Sequence, residues 1–427
     1  MPDPARLAAY DVLRAVRTED AYANLVLPQQ LRAHALSGRD AAFATELASG
    51  TLRRRATWDA VIDACLTGKV QPRVRDVVRL GVHQLLAMRV GDHAAVSTSV
   101  DLARARTGPR SGGLVNAVLR KVSTRDLDGW LDEVAPDPAT DPVGHLAVVH
   151  SHPRWVVEEL ARALGDERAE ELPVLLAADN DAPAVVLVAR PGLATRDELP
   201  GEPTSFSPYG VRLAGGDPGA VPAVAEGRAG VQDEGSQLVA LAVAGASVEG
   251  RDERWLDLCA GPGGKAALLG ALAHERGATL TANEPQPHRA DLVRRSLRVV
   301  PGAPEVTSYD GREGPWAPAT FDRVLVDAPC SGLGALRRRP EARWRKQPTD
   351  LDELVPLQRA LLTRALELVR PGGVVVYATC SPVLAETVEV VEGVLEGRDD
   401  VRRGETRQLW PHEHGTDAMS WSVLTRW

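Results

Sequence analysis

Asp257-Leu258-Cys259-Ala260-Gly261-Pro262-Gly263-Gly264-Lys265 follows the apolar pair Trp255-Leu256 and opens the helical run ALLGALA, residues 267–273. A strand that turns on glycines into a helix is the first half of a βαβ unit, and the glycines let backbone approach a ligand closely. A phosphate-binding P-loop would need Gly at 259 and Ser or Thr at 266, where this chain has Cys259 and Ala266. A dinucleotide fingerprint is met only in its looser form, by Gly261, Gly263 and Ala266. A purely structural strand-to-helix turn is the remaining reading.

Outward from this turn, apolar runs alternate with helical stretches: RWLDLC (254–259), ATLTAN (278–283), EVTSYD (305–310), FDRVLVDA (321–328) and GGVVVYAT (372–379). That alternation predicts a mostly parallel sheet in a Rossmann-like α/β domain from 223 to 427. Ligands of open α/β sheets bind at the carboxyl ends of the strands, so the polar residues ending these runs should share one crevice. Glu284 closes the second run, where an acidic side chain commonly accepts hydrogen bonds from a ribose. Asp310 closes the third, where a carboxylate could take an adenine amino group or simply cap a turn.

The fourth and fifth runs end in Asp327-Ala328-Pro329-Cys330-Ser331-Gly332 and Ala378-Thr379-Cys380-Ser381-Pro382. A free cysteine is ordinarily a small buried hydrophobe. Two at the mouths of adjacent strands suggest chemistry instead. Carbon 5 of a cytosine is not nucleophilic until something adds to carbon 6, and a thiolate is the side chain best able to add and later leave. Asp327 is spaced to hold such a ring at N3. These residues alone do not say which cysteine attacks.

Residues 5–125 read as helices, with apolar residues at three- and four-residue spacing in RLAAYDVLRAV, RDAAFATELASGTLRR, TWDAVIDACL and VRDVVRLGVHQLLAM. DEVAPDPATDPVG (132–144), rich in Pro and Asp, reads as a linker. The segment 145–222 combines a helix, PRWVVEELARALG, with short apolar runs such as AVVLVA. The expected organisation is therefore multidomain: an all-α domain (1–131), the linker, a small α+β segment (145–222), to which the resemblance given below assigns RNA binding, and the α/β domain (223–427).

The net charge of −8 hides an asymmetry: residues 1–125 hold 19 Arg or Lys against 11 Asp or Glu, and the remainder 31 against 47. A basic front suits a nucleic-acid partner. A second cluster, Arg337, Arg338, Arg339, Arg343, Arg345 and Lys346, is also a candidate for phosphate, although Arg is abundant throughout this chain. The four cysteines (65, 259, 330 and 380) lack disulfide or zinc spacing. No metal site is expected, and free thiols imply a reducing compartment. The N-terminus does not read as a signal peptide, and no run of about 18 apolar residues could span a membrane. A cytoplasmic protein is expected.

DLCAGPGGKA, DAPCSGLG and YATCSP, in that order and spacing, resemble the Sun/Nop family of RNA cytosine-C5 methyltransferases. QDEGSQLVA (232–240) and LRRRPEARWR (336–345) add to the likeness. The helical front, with RLAAYDVLRAV and LVNAVLRKV, is similar to a NusB-like RNA-binding domain, as in bacterial members acting on 16S ribosomal RNA. The resemblance covers essentially the whole chain. It implies S-adenosyl-L-methionine as cofactor, held by Cys259, Ala260, Gly261, Pro262, Gly263, Gly264, Lys265, Glu284, Asp310 and Asp327. It also implies Cys380 as the nucleophile, Cys330 as the group aiding product release, and Asp327 as a catalytic partner. The expected partner is small-subunit ribosomal RNA, bound by a monomer.

The chain departs from the pattern in Gly261 and Ala266, where many relatives have Ala and Thr, and in GTDAMSWSVL (415–424), which lacks a paired Phe. A non-catalytic relic of this fold would show a damaged turn or a missing cysteine, and a small-molecule methyltransferase would not need the basic helical front.

Overall fold

The computed structural model describes residues 2–427. The chain divides into two compact units, Met1–Ala182 with Leu336–Lys346, and Pro183–Ala335 with Gln347–Trp427.

The first unit is helical, and its amphipathic repeats explain why. In the helix Pro4–Thr18 the residues Ala8, Ala9, Val12 and Leu13 are buried, while Asp3 accepts a hydrogen bond from the backbone N–H of Arg6 and caps the start. The stripes of Arg55–Cys65, Pro72–Leu86, Asp92–Arg106 and Ser111–Val122 meet around Trp58, Leu80, Leu102, Leu119 and Trp130.

The linker expected at 132–144 lies inside this unit. Its first residues finish the helix Leu127–Val134 and its last begin Pro142–Val149. Asp141 and Pro142, which suggested a flexible stretch, are the cap and first residue of that second helix: the Asp141 carboxylate accepts from Gly144 N–H at 2.9 Å. Thr57 Oγ1 donates to the carbonyl of Val148 at 2.6 Å and Ala56 N–H donates to Ser151 Oγ at 2.9 Å, so residues beyond 145 are fastened to the helical front. The segment 145–222 is consequently divided: its helices, including the expected Arg154–Leu164, belong to the first unit and its strands to the second.

The second unit holds two sheets. The smaller is antiparallel, from β1 (Val186–Ala189), β2 (Gly201–Pro203), β3 (Gly210–Leu213) and β4 (Ala229–Val231), in the order β2-β3-β1-β4. The larger contains β5 (Arg254–Asp257), β6 (Thr279–Asn283), β7 (Glu305–Thr307), β8 (Phe321–Asp327), β9 (Val369–Thr379), β10 (Val401–Gln408) and β11 (Ser420–Arg426), ordered β10-β11-β9-β8-β5-β6-β7. β5 to β9 are mutually parallel, and β11 runs antiparallel to β9 and β10.

Period-2 alternation sends Trp255, Leu325 and Val376 to one face, beneath the helices Glu234–Gly245, Gly264–Glu275 and Pro287–Leu297. It sends Leu256, Val324 and Val375 to the other, beneath Leu351–Leu368 and Val388–Leu395. Both faces being covered accounts for near-continuous apolar strands. Among the described residues no helix is long and apolar enough to cross a membrane.

Candidate active site

Strand register decides what converges. In the parallel pairs Asp257 lies opposite Ala282 of β6 and Leu325 of β8, while Asp327 lies opposite Ala378 of β9. Two residues past those partners come Glu284, Asp327 and Cys380, so the carboxyl ends of four strands deliver their polar termini to one edge. Strand order reverses between β5 and β8, the switch point at which doubly wound sheets bind ligands.

The glycine turn occupies that point. Gly263 has φ +111 and heads the helix Gly264–Glu275; a Cβ there would stand 2.8 Å from the Ser296 side chain. At Gly261 a Cβ would fall 2.0 Å from Glu284 Oε2 and 2.9 Å from Arg289 Nη2. Here the side chains of Glu284 and Arg289 occupy the space that an alanine would take. Arg289 Nη2 donates to the Gly261 carbonyl at 2.8 Å and lies 3.4 Å from Glu284 Oε2, fixing a buried Glu284 against the turn. Ala260 N–H donates to the Asn283 carbonyl, and the Asn283 amide donates to the carbonyls of Leu258 and Tyr309.

Asp257 is fully buried; its Oδ1 accepts from Cys259 N–H at 3.3 Å and its Oδ2 has no hydrogen-bond partner. Burial first, then the charge of Asp327, push its carboxyl up to about 8 despite the nearby Lys265 ammonium. Burial also drives the Cys259 thiol well above its ordinary range. Lys265 Nζ donates to Asp327 Oδ2 at 2.8 Å. Burial opposes the lysine's charge, but Asp327 outweighs it and holds the ammonium above its usual value. Asp310 stands apart from these: it is exposed and held by Arg312 at 2.6 Å, which keeps its carboxyl below the usual range.

The two cysteine turns meet. Cys330 Sγ and Cys380 Sγ are 3.4 Å apart, both half-buried. The hydrogen bond shared with Cys380, which favours the protonated thiol, and then burial raise Cys330 well above its ordinary range. Beneath the turns lies a side chain to which no sequence signal pointed. Glu386, fully buried, accepts from Ser331 N–H at 2.7 Å, from Ser331 Oγ at 2.5 Å and from Gln358 Nε2 at 3.1 Å. It ends the short 3-10 turn Leu384–Glu386, too brief for any periodicity to mark it. Gln232, inside the QDEGSQLVA segment, is also buried, with both amide atoms unpartnered; a Cβ on Gly264 would stand 3.9 Å from its Cδ.

The arginine cluster requires a correction. Arg343 is fully buried in the first unit and cannot reach a phosphate. It donates to Asn180 Oδ1 at 2.8 Å, the Ser151 carbonyl at 3.0 Å and the Asp179 carbonyl at 3.1 Å. Burial lowers its guanidinium to about 10. Trp344 Nε1 donates to the Leu52 carbonyl at 2.8 Å, and Arg345 pairs with Asp20 while stacking 4.5 Å over the Tyr22 ring. Of the six cations only Arg339 is exposed, and its guanidinium lies 5.4 Å from the centroid of the Tyr22 ring.

A doubly wound parallel sheet, closed by an antiparallel last pair and carrying a glycine turn at its switch point, has the architecture of a methyltransferase domain, and the family match to residues 248–425 makes the chain a methyltransferase. The chain belongs to the 16S rRNA methyltransferase RsmB/F family: that family's description fits residues 248–425, and the NusB family's fits residues 3–124. A Mycobacterium tuberculosis relative, named as a methyltransferase, is 52% identical over 447 residues, covering 99% of this chain and 97% of the relative. Ribosomal RNA small subunit methyltransferase B of Salmonella newport is 32% identical over 416 residues, covering 94% of this chain and 91% of the relative. The solved structure of PH0851 shares the fold, with a TM-score of 0.81 at 21% identity over 100% of this chain and 99% of that one.

Proposed function

We propose that this methyltransferase transfers a methyl group from S-adenosylmethionine to carbon 5 of a cytosine in 16S ribosomal RNA, through a covalent bond between Cys380 and the base. The observation that carries the reading is the 3.4 Å approach of the Cys330 and Cys380 sulfurs at the strand ends that also hold the Lys265–Asp327 pair.

The glycine turn fits the cofactor. A cradle at Gly261 and Gly263 leaves no space for a Cβ, and the buried Asp257 Oδ2 and Gln232 amide beside it lack partners. Residues 259–265 with Glu284, Asp310 and Asp327 would hold it. When bound it supplies a methyl group on an electrophilic sulfonium.

Cys380 Sγ adds to carbon 6, which makes carbon 5 nucleophilic, while Asp327 holds the ring at N3. After carbon 5 is methylated its proton passes to solvent water, the electron pair left behind reforms the carbon 5–carbon 6 double bond, and the Cys380–carbon 6 bond breaks with its pair returning to Sγ. Cys330 assists that release. The target base must be unpaired or flipped out, since a stacked base is out of reach. The basic helical front would bind phosphates, so binding weakens with salt.

Transfer of labelled methyl to small-subunit ribosomal RNA, followed by bisulfite mapping with and without the protein, tests the reading. A new 5-methylcytidine is expected; methylation at any other atom overturns it.

A further inference from the structure

We infer that Glu386 is a positioning residue that clamps the Pro-Cys turn to the Thr-Cys turn and thereby sets the geometry in which Cys330 assists release from Cys380. The inference rests on the roles proposed above for the two cysteines.

Both peptide groups flanking Cys330 are gripped. On one side Gln358 Nε2 donates to the Pro329 carbonyl at 2.8 Å, and on the other Ser331 N–H donates to Glu386 Oε1 at 2.7 Å. Gln358 Nε2 also donates to Glu386 Oε1, so the two grips share one atom. The second oxygen continues toward the other turn: Ser331 Oγ donates to Glu386 Oε2, and lies 3.1 Å from Ser381 Oγ, which accepts from Val383 N–H at 3.2 Å. Tyr377, three residues before Cys380, donates its hydroxyl to the Glu386 carbonyl at 2.8 Å. One residue thus addresses both turns.

Energetics favour a role beyond stability. Glu386, Gln358 and Ser381 are fully buried, and among the described residues the groups bonded to the Glu386 carboxylate are neutral donors. A carboxylate buried without a cation is expensive, and an apolar filling would cost less. What an acceptor with two oxygens offers is simultaneous capture of three donors from two segments, which is a geometric service. Displacing a reacting group by about 1 Å costs about 100-fold in rate.

The test uses the full chain and follows the covalent protein–RNA adduct by denaturing gel, beside turnover. Cys330→Ala serves as the reference and should accumulate adduct. Glu386→Ala should do likewise although Cys330 is intact, with turnover down about 10- to 100-fold and KM for RNA and S-adenosylmethionine unchanged. Glu386→Gln keeps an acceptor for Ser331 N–H, and the hydroxyl chain can reverse to meet its amide, so it should recover most of the release rate. If Glu386→Ala does not fold, Ser331→Ala removes only the hydroxyl link and should still show partial adduct.

The inference is overturned if folded Glu386→Ala, or Ser331→Ala in its place, releases product without adduct, or if the glutamine variant is no better than alanine. Adduct in Cys330→Ala but not in Glu386→Ala sinks the clamp alone. No adduct in any of them sinks the reading of Cys330 and the clamp with it.

Discussion

The arginine stretch 336–346 lies between the two cysteine turns in sequence, and residue type marks all three for chemistry, yet the fold uses them oppositely. The cysteines lie half-buried at a sheet edge where register aligns them, with polar partners below holding their backbones. The arginines look like a phosphate-binding patch, but the central one is spent inside the helical unit on backbone carbonyls. Density of a residue type therefore predicts chemistry only where strand geometry fixes what it faces. A guanidinium with five donors serves as readily as a plug for orphan carbonyls as it does as an anion ligand.

Four substitutions break or sharpen that contrast. The largest effect is expected of Cys380→Ala, which should lower methyl transfer to RNA by at least about 1,000-fold, the order of loss when a covalent nucleophile is removed. A normal rate would end the cysteine half of the comparison. Next, Arg343→Ala strips donors from buried carbonyls and an amide and should destabilise the protein by about 3 kcal/mol in denaturant unfolding. An unchanged midpoint would return Arg343 to the phosphate-binding candidates.

Smaller and conditional is Asp257→Asn. The native carboxyl, raised to about 8, keeps its proton while the unfolded chain loses one near the ordinary value of 3.8. Stability should fall as pH rises from about 4 toward 8 and level off above. The asparagine variant removes that contribution, so its Tm should decline less over the same window. Smallest is Arg339→Ala, exposed on the same stretch as Arg343. It removes the Arg339–Tyr22 stacking, worth no more than about 1 kcal/mol at an exposed site, and should reduce the salt slope of RNA binding by about 1, as expected for one lost phosphate contact.

The strands β5, β8 and β9 are legible because each carries apolar residues on both faces and ends in a polar residue, a pattern that covered parallel sheets require. The hairpin of β10 and β11 escaped. VRRGETRQ is mostly exposed and charged, suiting an edge strand, and carries no apolar alternation to read. At 132–144 composition misled, because Pro and Asp serve helix starts as readily as they serve linkers. The candidate residues from Cys259 to Lys265, with Glu284, Asp327, Cys330 and Cys380, can be proposed from motifs, since backbone constraint and chemistry leave marks at fixed spacing. Glu386 and Gln358 could not. Each contributes through hydrogen-bond partners met only in three dimensions, and neither stands in a pattern that differs from ordinary turn or helix sequence.

Arg343 reaches a carbonyl 290 positions earlier in the chain. During synthesis the opening helices leave the ribosome long before the residue that closes their interior exists. A chain arrested at Ala182 would hold the carbonyls of Arg53, Ser151 and Asp179 without their guanidinium, so the domain made first should be among the last to reach full stability.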